Sequence, residues 1–366
     1  MDVILFSSAD FDFIRTRKQQ VALELSRIGH RVIYIEPPRA GKWADLPLAR
    51  HNLLSQKSEN LFVYSPPVLP YMGRFPVINE VNYELILFNV RRIAARLGFS
   101  DLLYWIYPPR AFSFAGRFHE KLTVFDCIQY WPYSSEPDWI KNRLPEYLKR
   151  AQVVFAPDPQ ILSWCREYNK DAVLVPHGVD TAYLAEGKPE CPPDLALCPR
   201  PVVGISASIS SYWIDMELVR KLAVSNPQWT FAVIGPLISN QELDLWRGVD
   251  NIRYLGLKKP SELPAYVRNF DLGLIPFRRI PAVKGILPLK FYDYMASGLP
   301  IVSTTPVEID EYREFAVCGE GAFEISSLIA SGMAEDSFGM KGKRLSMARN
   351  STWKKRVEDM LKHIRI

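Results

Sequence analysis

The chain is short of the features that would set it apart from ordinary globular proteins. It has only five cysteines in 366 residues, an odd number and scattered, with Cys127 inside an apolar run. That usage excludes a disulfide framework and fits reduced thiols in a cytoplasmic setting. Cys191 and Cys198 are the nearest pair, and no histidine or second pair completes a zinc pattern. No apolar run approaches bilayer length. The opening strand, Asp2-Val-Ile-Leu-Phe-Ser7, lacks the basic flank and cleavage site of a signal peptide. Tandem repeats of short period and low-complexity tracts are missing too. Neither GxxxxGK[ST] nor GxGxxG occurs, and no Ser/His/Asp order stands out for acyl chemistry. The formal charge of +5 is too small a surplus to indicate nucleic acid, although local basic clusters can meet anionic lipid.

What is present is a composition of 48% hydrophobic and 23% charged residues, enough for substantial cores, at a length that suggests two domains. The first residues predict strand–helix–strand: Val3–Ser7, a helix over Arg17–Ile28 closed by Gly29, and Val32–Ile35. This unit opens a parallel α/β sheet. Further strands are expected at Leu61–Ser65, Leu102–Ile106, Leu122–Phe125, Val153–Phe155 and Ala172–Pro176. A helix over Trp139–Arg150 is expected to break at Pro145. An aperiodic stretch over 181–200 marks a boundary. The alternation then restarts with strands at Val202–Ile205, Thr230–Ile234, Ile252–Leu255, Leu272–Pro276 and Ile301–Ser303. The reading is an α/β protein with two doubly wound Rossmann-like domains facing across a cleft, residues 1–182 and 183–340, and a helical tail over 341–366. In such sheets ligands bind beyond the carboxyl ends of the strands.

The most informative segment runs from Ile286 to Thr304 as loop, short helix and buried strand. Pro288 suits the first helical position, Gly298 the position past the end, and Pro300 prevents continuation. Lys290 falls in the first turn, where the macrodipole disfavours a cation and the backbone amides favour an anion. Two readings stand together: a phosphate site with Asp293 accepting from sugar hydroxyls, or an ordinary Lys–Asp pair on a helix face. Other loops follow strands at the same end of this domain. The hydroxyl-rich stretch Ser206–Asp215 includes Ser208, Trp213 and Asp215, and Gly235-Pro236 and Phe277 follow the next strands. Such turns can donate to a pyrophosphate, or can simply be solvated. His177, beside Gly178 at a strand end, is expected to face the cleft. Asp126, at another strand end, is a candidate base for activating a hydroxyl, or a loop carboxylate held by amides. Asp10-Phe-Asp12 has the DxD form of some metal-binding sites but is a triplet common by chance, so no metal is expected. The loop Pro66–Pro76 is rich in large apolar residues; it either packs on its domain or meets a membrane or lipid-linked substrate. The basic run Arg91–Arg96 adds to the second reading.

Val175-Pro-His-Gly-Val-Asp180, Val233-Ile-Gly-Pro236 and Pro288-Leu-Lys-Phe-Tyr-Asp-Tyr-Met-Ala-Ser-Gly-Leu-Pro-Ile-Val302, in this order, resemble GT-B glycosyltransferases that build bacterial surface polysaccharides. Within these the chain is similar to the family-four and teichuronic-acid types. Asn226–Phe231, Leu263–Tyr266 and Asp271–Phe277 fall between them in the family's order. The resemblance implies a nucleotide-diphosphate sugar as substrate, no cofactor and no metal. The donor would be held by the C-terminal domain, and a glycan or lipid-linked saccharide acceptor would bind the N-terminal domain. Lys290 would bind the donor phosphates, Asp293 the ribose, and Gly298 would allow close helix–strand packing. The loop around Trp213 and Asp215 would line the donor site, and the last helix would cross back to the first domain. Apart from the resemblance, the cysteine usage and the missing signal peptide make a cytoplasmic protein the expectation, and the apolar loop with Arg91–Arg96 adds a peripheral place at the inner face of the plasma membrane. Two positions depart from the family: Gly285 stands where a glutamate often positions the donor sugar, and Gln129 where an acidic residue is common. These departures keep a non-catalytic nucleotide-sugar-binding scaffold as an alternative, beside a sugar-nucleotide epimerase on the same fold.

Overall fold

The protein is described by a computed structural model covering all residues except 39–52, 70–74, 135, 282, 284–285, 336–337 and 365–366. Gly285 and the tip of the loop Pro66–Pro76 therefore lie outside the described residues. The chain divides into two compact units. One comprises Met1–Pro157, Ile161–Val175 and Val357–Ile366, the other Asp158–Gln160 and Pro176–Arg356. The change of unit falls at Val175/Pro176, ahead of the expected residue 182, and the last ten residues group with the first unit.

The first unit is built on eight strands: β1 (Asp2–Phe6), β2 (Arg31–Ile35), β3 (Leu54–Ser58), β4 (Leu61–Tyr64), β5 (Leu102–Ile106), β6 (Leu122–Asp126), β7 (Val153–Ala156) and β8 (Val173–Leu174). Their order is β3-β4-β2-β1-β5-β6-β7-β8, parallel except for β3 against β4. Every residue of β1 is buried, as continuous apolar runs require in a sheet covered on both faces. Each fully buried Val, Ile or Leu there contributes about 1.5–3 kcal/mol over exposure. The first helix, Arg17–Arg27, starts with a capping box in which the Thr16 amide donates to Gln19 Oε1 at 3.0 Å. Gly29, at φ +94°, ends the turn as expected.

The second unit holds β9 (Val202–Ser206), β10 (Thr230–Ile234), β11 (Ile252–Gly256), β12 (Leu272–Ile275), β13 (Ile301–Ser303) and β14 (Val317–Cys318), in the order β11-β10-β9-β12-β13-β14. All its pairings are parallel. Glycines let neighbours lie close on this sheet. A Cβ on Gly204 would fall 1.8 Å from the Phe270 ring, and one on Gly273 2.4 Å from the Tyr294 ring.

Three expectations change. Strands β3 and β14 are absent from the periodicity because both sit at sheet edges and carry few buried residues. The Trp139–Arg150 stretch breaks at Asn142–Arg143, and Pro145 instead sits inside the first turn of Leu144–Arg150, where a missing N–H costs little. The alternation of strands and helices also predicts a helix over Asn240–Trp246, which is a 3₁₀ segment rather than an α-helix.

Candidate functional site

In the second unit, three loops at the carboxyl ends of β9, β10 and β12 are laced together by backbone hydrogen bonds. Ala207 N donates to Ile234 O at 3.0 Å, and Ile209 N to Pro236 O at 2.8 Å. Gly235 makes this approach possible: its φ is +143°, and a Cβ would sit 1.7 Å from the Ala207 carbonyl oxygen. Asp215 N donates to Pro276 O at 2.8 Å, Arg278 N to Trp213 O at 2.8 Å, and Ile214 bridges Phe277. Ser208, Trp213, Asp215, Gly235, Pro236 and Phe277 are thus gathered on one rim. Ser208 is exposed and Trp213 is 37% exposed, with Tyr212 edge-on to it at 4.6 Å. Asp215 caps the helix Met216–Ser225, its Oδ1 accepting from Leu218 N at 2.9 Å. Its carboxylate therefore has a structural task that the sequence reading did not assign.

The helix Leu289–Ala296 begins after Pro288, which is its N-cap rather than its first residue. Tyr294 anchors it to the sheet, its hydroxyl accepting from Ser206 N at 2.8 Å and donating to Gly204 O at 3.2 Å. Lys290, in the first turn of the helix, donates from Nζ to Asp293 Oδ2 at 2.9 Å. Asp293 is 9% exposed. Burial raises its pKa, the Lys290 charge opposes that shift, and the nearby Asp180 carboxylate adds to it. The Lys–Asp pair of the second sequence reading is thus present, and it is partly buried at the amide end of a helix. Gly298 takes φ +71° just past the helix, so it serves as the left-handed terminator.

The segment Pro176–Asp180 packs on this helix within the same unit. His177 is 9% exposed, edge-on to Tyr292 at 6.0 Å and tilted against Trp353 at 6.1 Å. Its carbonyl accepts from Arg356 Nε at 3.1 Å. The expected open-facing histidine is instead an enclosed one, because Gly178 lets Trp353 close over it; a Cβ there would fall 2.7 Å from that ring. Tyr183, whose hydroxyl pKa burial pushes well up, completes the surroundings of Asp293. No spacing rule marked Tyr183 or Tyr292. Their only signal was closeness in sequence to His177 and Asp293.

In the first unit, Asp126 is fully buried, and Arg17 Nε donates to both its oxygens at 3.0 and 2.9 Å. Arg17 also donates to Val175 O at 2.8 Å. A carboxylate engaged by a buried guanidinium is a counter-ion, and this placement speaks against the expected base role. Burial lowers the pKa of the neighbouring Lys18 to about 8, with the Asp126 charge opposing the shift. Asp12 pairs with Lys57 at 2.8 Å, and among the described residues no group of three or more His, Cys, Asp or Glu could hold a metal ion. A cavity of about 310 Å³ opens at the carboxyl ends of β1, β2, β4 and β5. Phe6, Tyr83, Ile86 and Phe114 give it an apolar lining, and Arg110 donates to Glu136 at 2.7 Å on its wall.

Two Rossmann-like units, each presenting loops at the carboxyl ends of a parallel sheet, define the class: the chain has the GT-B fold. A sucrose-phosphate synthase of Thermosynechococcus elongatus shares it with a TM-score of 0.74 at 13% identity, over 99% of this chain and 97% of that one. The Anabaena protein HepE, solved with UDP-glucose, shares it with a TM-score of 0.68 at 14% identity, over the whole of both chains. Within the second unit, residues 213–332 match the family model described as Glycosyl transferases group 1. TuaH of Bacillus subtilis (strain 168), a provisionally assigned teichuronic acid biosynthesis glycosyltransferase, is 26% identical over 200 residues, 50% of each chain. The match spans half the length of that curated relative.

Proposed function

We propose that the protein is a glycosyltransferase that moves a hexosyl group from a nucleoside-diphosphate sugar to a hydroxyl of a glycan or lipid-linked saccharide. The observation that carries this reading is the Lys290–Asp293 pair at the amide end of Leu289–Ala296, in the unit whose laced loops present Ser208, Trp213 and Phe277. A diphosphate arriving there gives Lys290 a second anionic partner and meets the amide end of a helix. As the bond from sugar C1 to phosphate breaks, negative charge grows on the departing nucleotide, where the Lys290 ammonium and the amides stabilise it. The acceptor oxygen bonds to C1, and its proton passes to the departing diphosphate, itself a base. Because a lysine and backbone amides supply the positive charge, the reaction requires neither metal nor organic cofactor. The UDP-glucose bound by HepE favours a uridine donor.

The apolar cavity of the first unit suits the acceptor, with the Arg110–Glu136 pair placed for hydroxyl or phosphate groups. The group 1 match in the second unit favours transfer over the epimerase and scaffold alternatives. The helix Pro76–Arg96 supports a peripheral place on the cytoplasmic face of the membrane. Val77, Val81, Leu85 and Phe88, spaced to share one helix face, are all exposed, as are Arg91 and Arg92 near its end. Among the described residues no helix is long and apolar enough to cross a membrane.

The test is calorimetric titration with uridine and guanosine diphosphates and their sugars, beside a donor-hydrolysis assay. Lys290→Ala is expected to weaken diphosphate binding by about ten- to a hundredfold, the worth of a charge-assisted hydrogen bond. Unchanged affinity in that variant refutes the donor assignment. Tight binding by the wild type with no turnover of any donor refutes the enzyme and favours a scaffold. Equal flotation with and without anionic liposomes refutes the membrane contact.

A further inference from the structure

The second unit holds another cavity, of about 480 Å³, at the opposite ends of its strands. Its walls are the residues that enter β9, β12 and β13, namely Arg200, Asp271 and Pro300, and the exit of the helix Leu289–Ala296 at Ser297 and Gly298. Lys290 stands at the other end of that eight-residue helix, which is about 12 Å long. We propose that this cavity is a second binding site, for a phosphate-bearing anion.

Charge carries the inference. Five cationic side chains, Lys188, Arg200, Arg268, Lys341 and Arg349, line the hollow against two carboxylates, Glu186 and Asp271. Two of the cations are engaged in building the wall. Arg200 pairs with Asp271 at 2.6 Å, and Arg268 donates to the carbonyls of Ala185, at 2.7 Å, and Gly187. The other three are not: among the described residues Lys188, Lys341 and Arg349 form neither a hydrogen bond nor an ion pair. The carbonyl end of the helix does not account for them either, because the Gly298 carbonyl is already served by Arg344 at 3.1 and 3.3 Å. Gly298 also shapes the cavity. Any Cβ there would stand 3.0 Å from Lys341 Cγ, so the lysine stem runs across the glycine and along the cavity wall.

Three unpaired like charges around one hollow repel one another, and a ligand carrying two or more negative charges relieves that repulsion. Phosphate fits better than a carboxylate. It offers several acceptor oxygens to two ammonium groups and to a guanidinium that binds such oxygens in pairs. The volume suits a small phosphorylated molecule or the headgroup of an anionic lipid.

The experiment uses the full chain carrying Lys290→Ala, which removes the donor-site lysine, with and without Lys188→Gln, Lys341→Gln and Arg349→Gln. All three of these positions are exposed, so the added changes should leave folding intact; Arg349→Gln alone serves if the combination does not fold. Calorimetry with inorganic pyrophosphate and sedimentation with phosphatidylglycerol or phosphatidylcholine vesicles are the readouts. The expected result is binding that weakens at least about tenfold when the three cations are neutralised. Weakening with pyrophosphate identifies a free phosphorylated ligand; weakening confined to phosphatidylglycerol vesicles identifies a headgroup. Binding of both probes that is absent, or unchanged by the substitutions, overturns the proposal.

Discussion

Replacing Lys290 by methionine tests whether Asp293 depends on it. The pair is closed at 2.9 Å, with the lysine side chain 26% and the aspartate side chain 13% exposed. Removing one partner of a fully buried pair costs about 3–5 kcal/mol, whereas an exposed pair is worth about 0–1 kcal/mol. This half-buried pair belongs between them, so Lys290→Met should destabilise the protein by about 1–3 kcal/mol at pH 7. The pH dependence separates a lost counter-ion from lost packing. Burial already raises the Asp293 pKa in the folded protein, and Lys290 holds that rise down. Without Lys290 the folded pKa climbs further above the unfolded value. Between those two values the folded state binds more protons than the unfolded state, so stability falls as pH rises through the window. The deficit of Lys290→Met against wild type should therefore be full at pH 7 and shrink as pH falls toward 4. Asp293→Asn, added to Lys290→Met, should restore most of the loss, since no charge remains to be stranded. Urea denaturation across that pH range is the assay. A deficit that is constant with pH, or that persists in the double variant, refutes the reasoning.

Arg17→Met should cost about 3–5 kcal/mol in urea denaturation by stranding the buried Asp126 charge, and Asp126→Asn added to it should recover part of that loss. Asp215→Ala should cost about 1 kcal/mol through the lost helix cap while leaving nucleotide affinity within about twofold, a factor set by the absence of a lost hydrogen bond; a larger drop in calorimetry would give Asp215 a direct donor contact. Lys18, with a folded pKa lowered to about 8, binds fewer protons when folded than when unfolded between pH 8 and its ordinary value. Stability should therefore rise with pH across that window, and Lys18→Met should abolish the rise.

Much of this protein was legible in one dimension. Parallel strands buried on both faces read as short apolar runs, so Leu102–Ile106, Thr230–Ile234 and Ile301–Ser303 match the expected bounds. Turn and cap chemistry is equally local: Gly29 and Gly298 end helices because only glycine takes a positive φ without cost. The rim formed by Trp213, Gly235 and Phe277 was also foreseeable, since each follows a strand at the same end of a parallel sheet. Edge strands were not, because β3 and β14 bury too little to impose a pattern.

The environment of each candidate was decided only by tertiary structure. Asp126 looked like a base at a strand end, but Arg17, far away in sequence, lies against it in the buried interior. His177, expected to face the cleft, is enclosed because Trp353 packs over Gly178. For Lys290 and Asp293 the sequence set the spacing and the helix end that bring them together. The low-polarity surroundings that raise the Asp293 pKa come from chain segments the spacing does not reveal. The basic cavity behind the helix was the least legible of all, because Lys188, Lys341 and Arg349 converge only once the sheet has folded. Periodicity is a property of neighbours along the chain, whereas burial and electrostatics depend on neighbours in space.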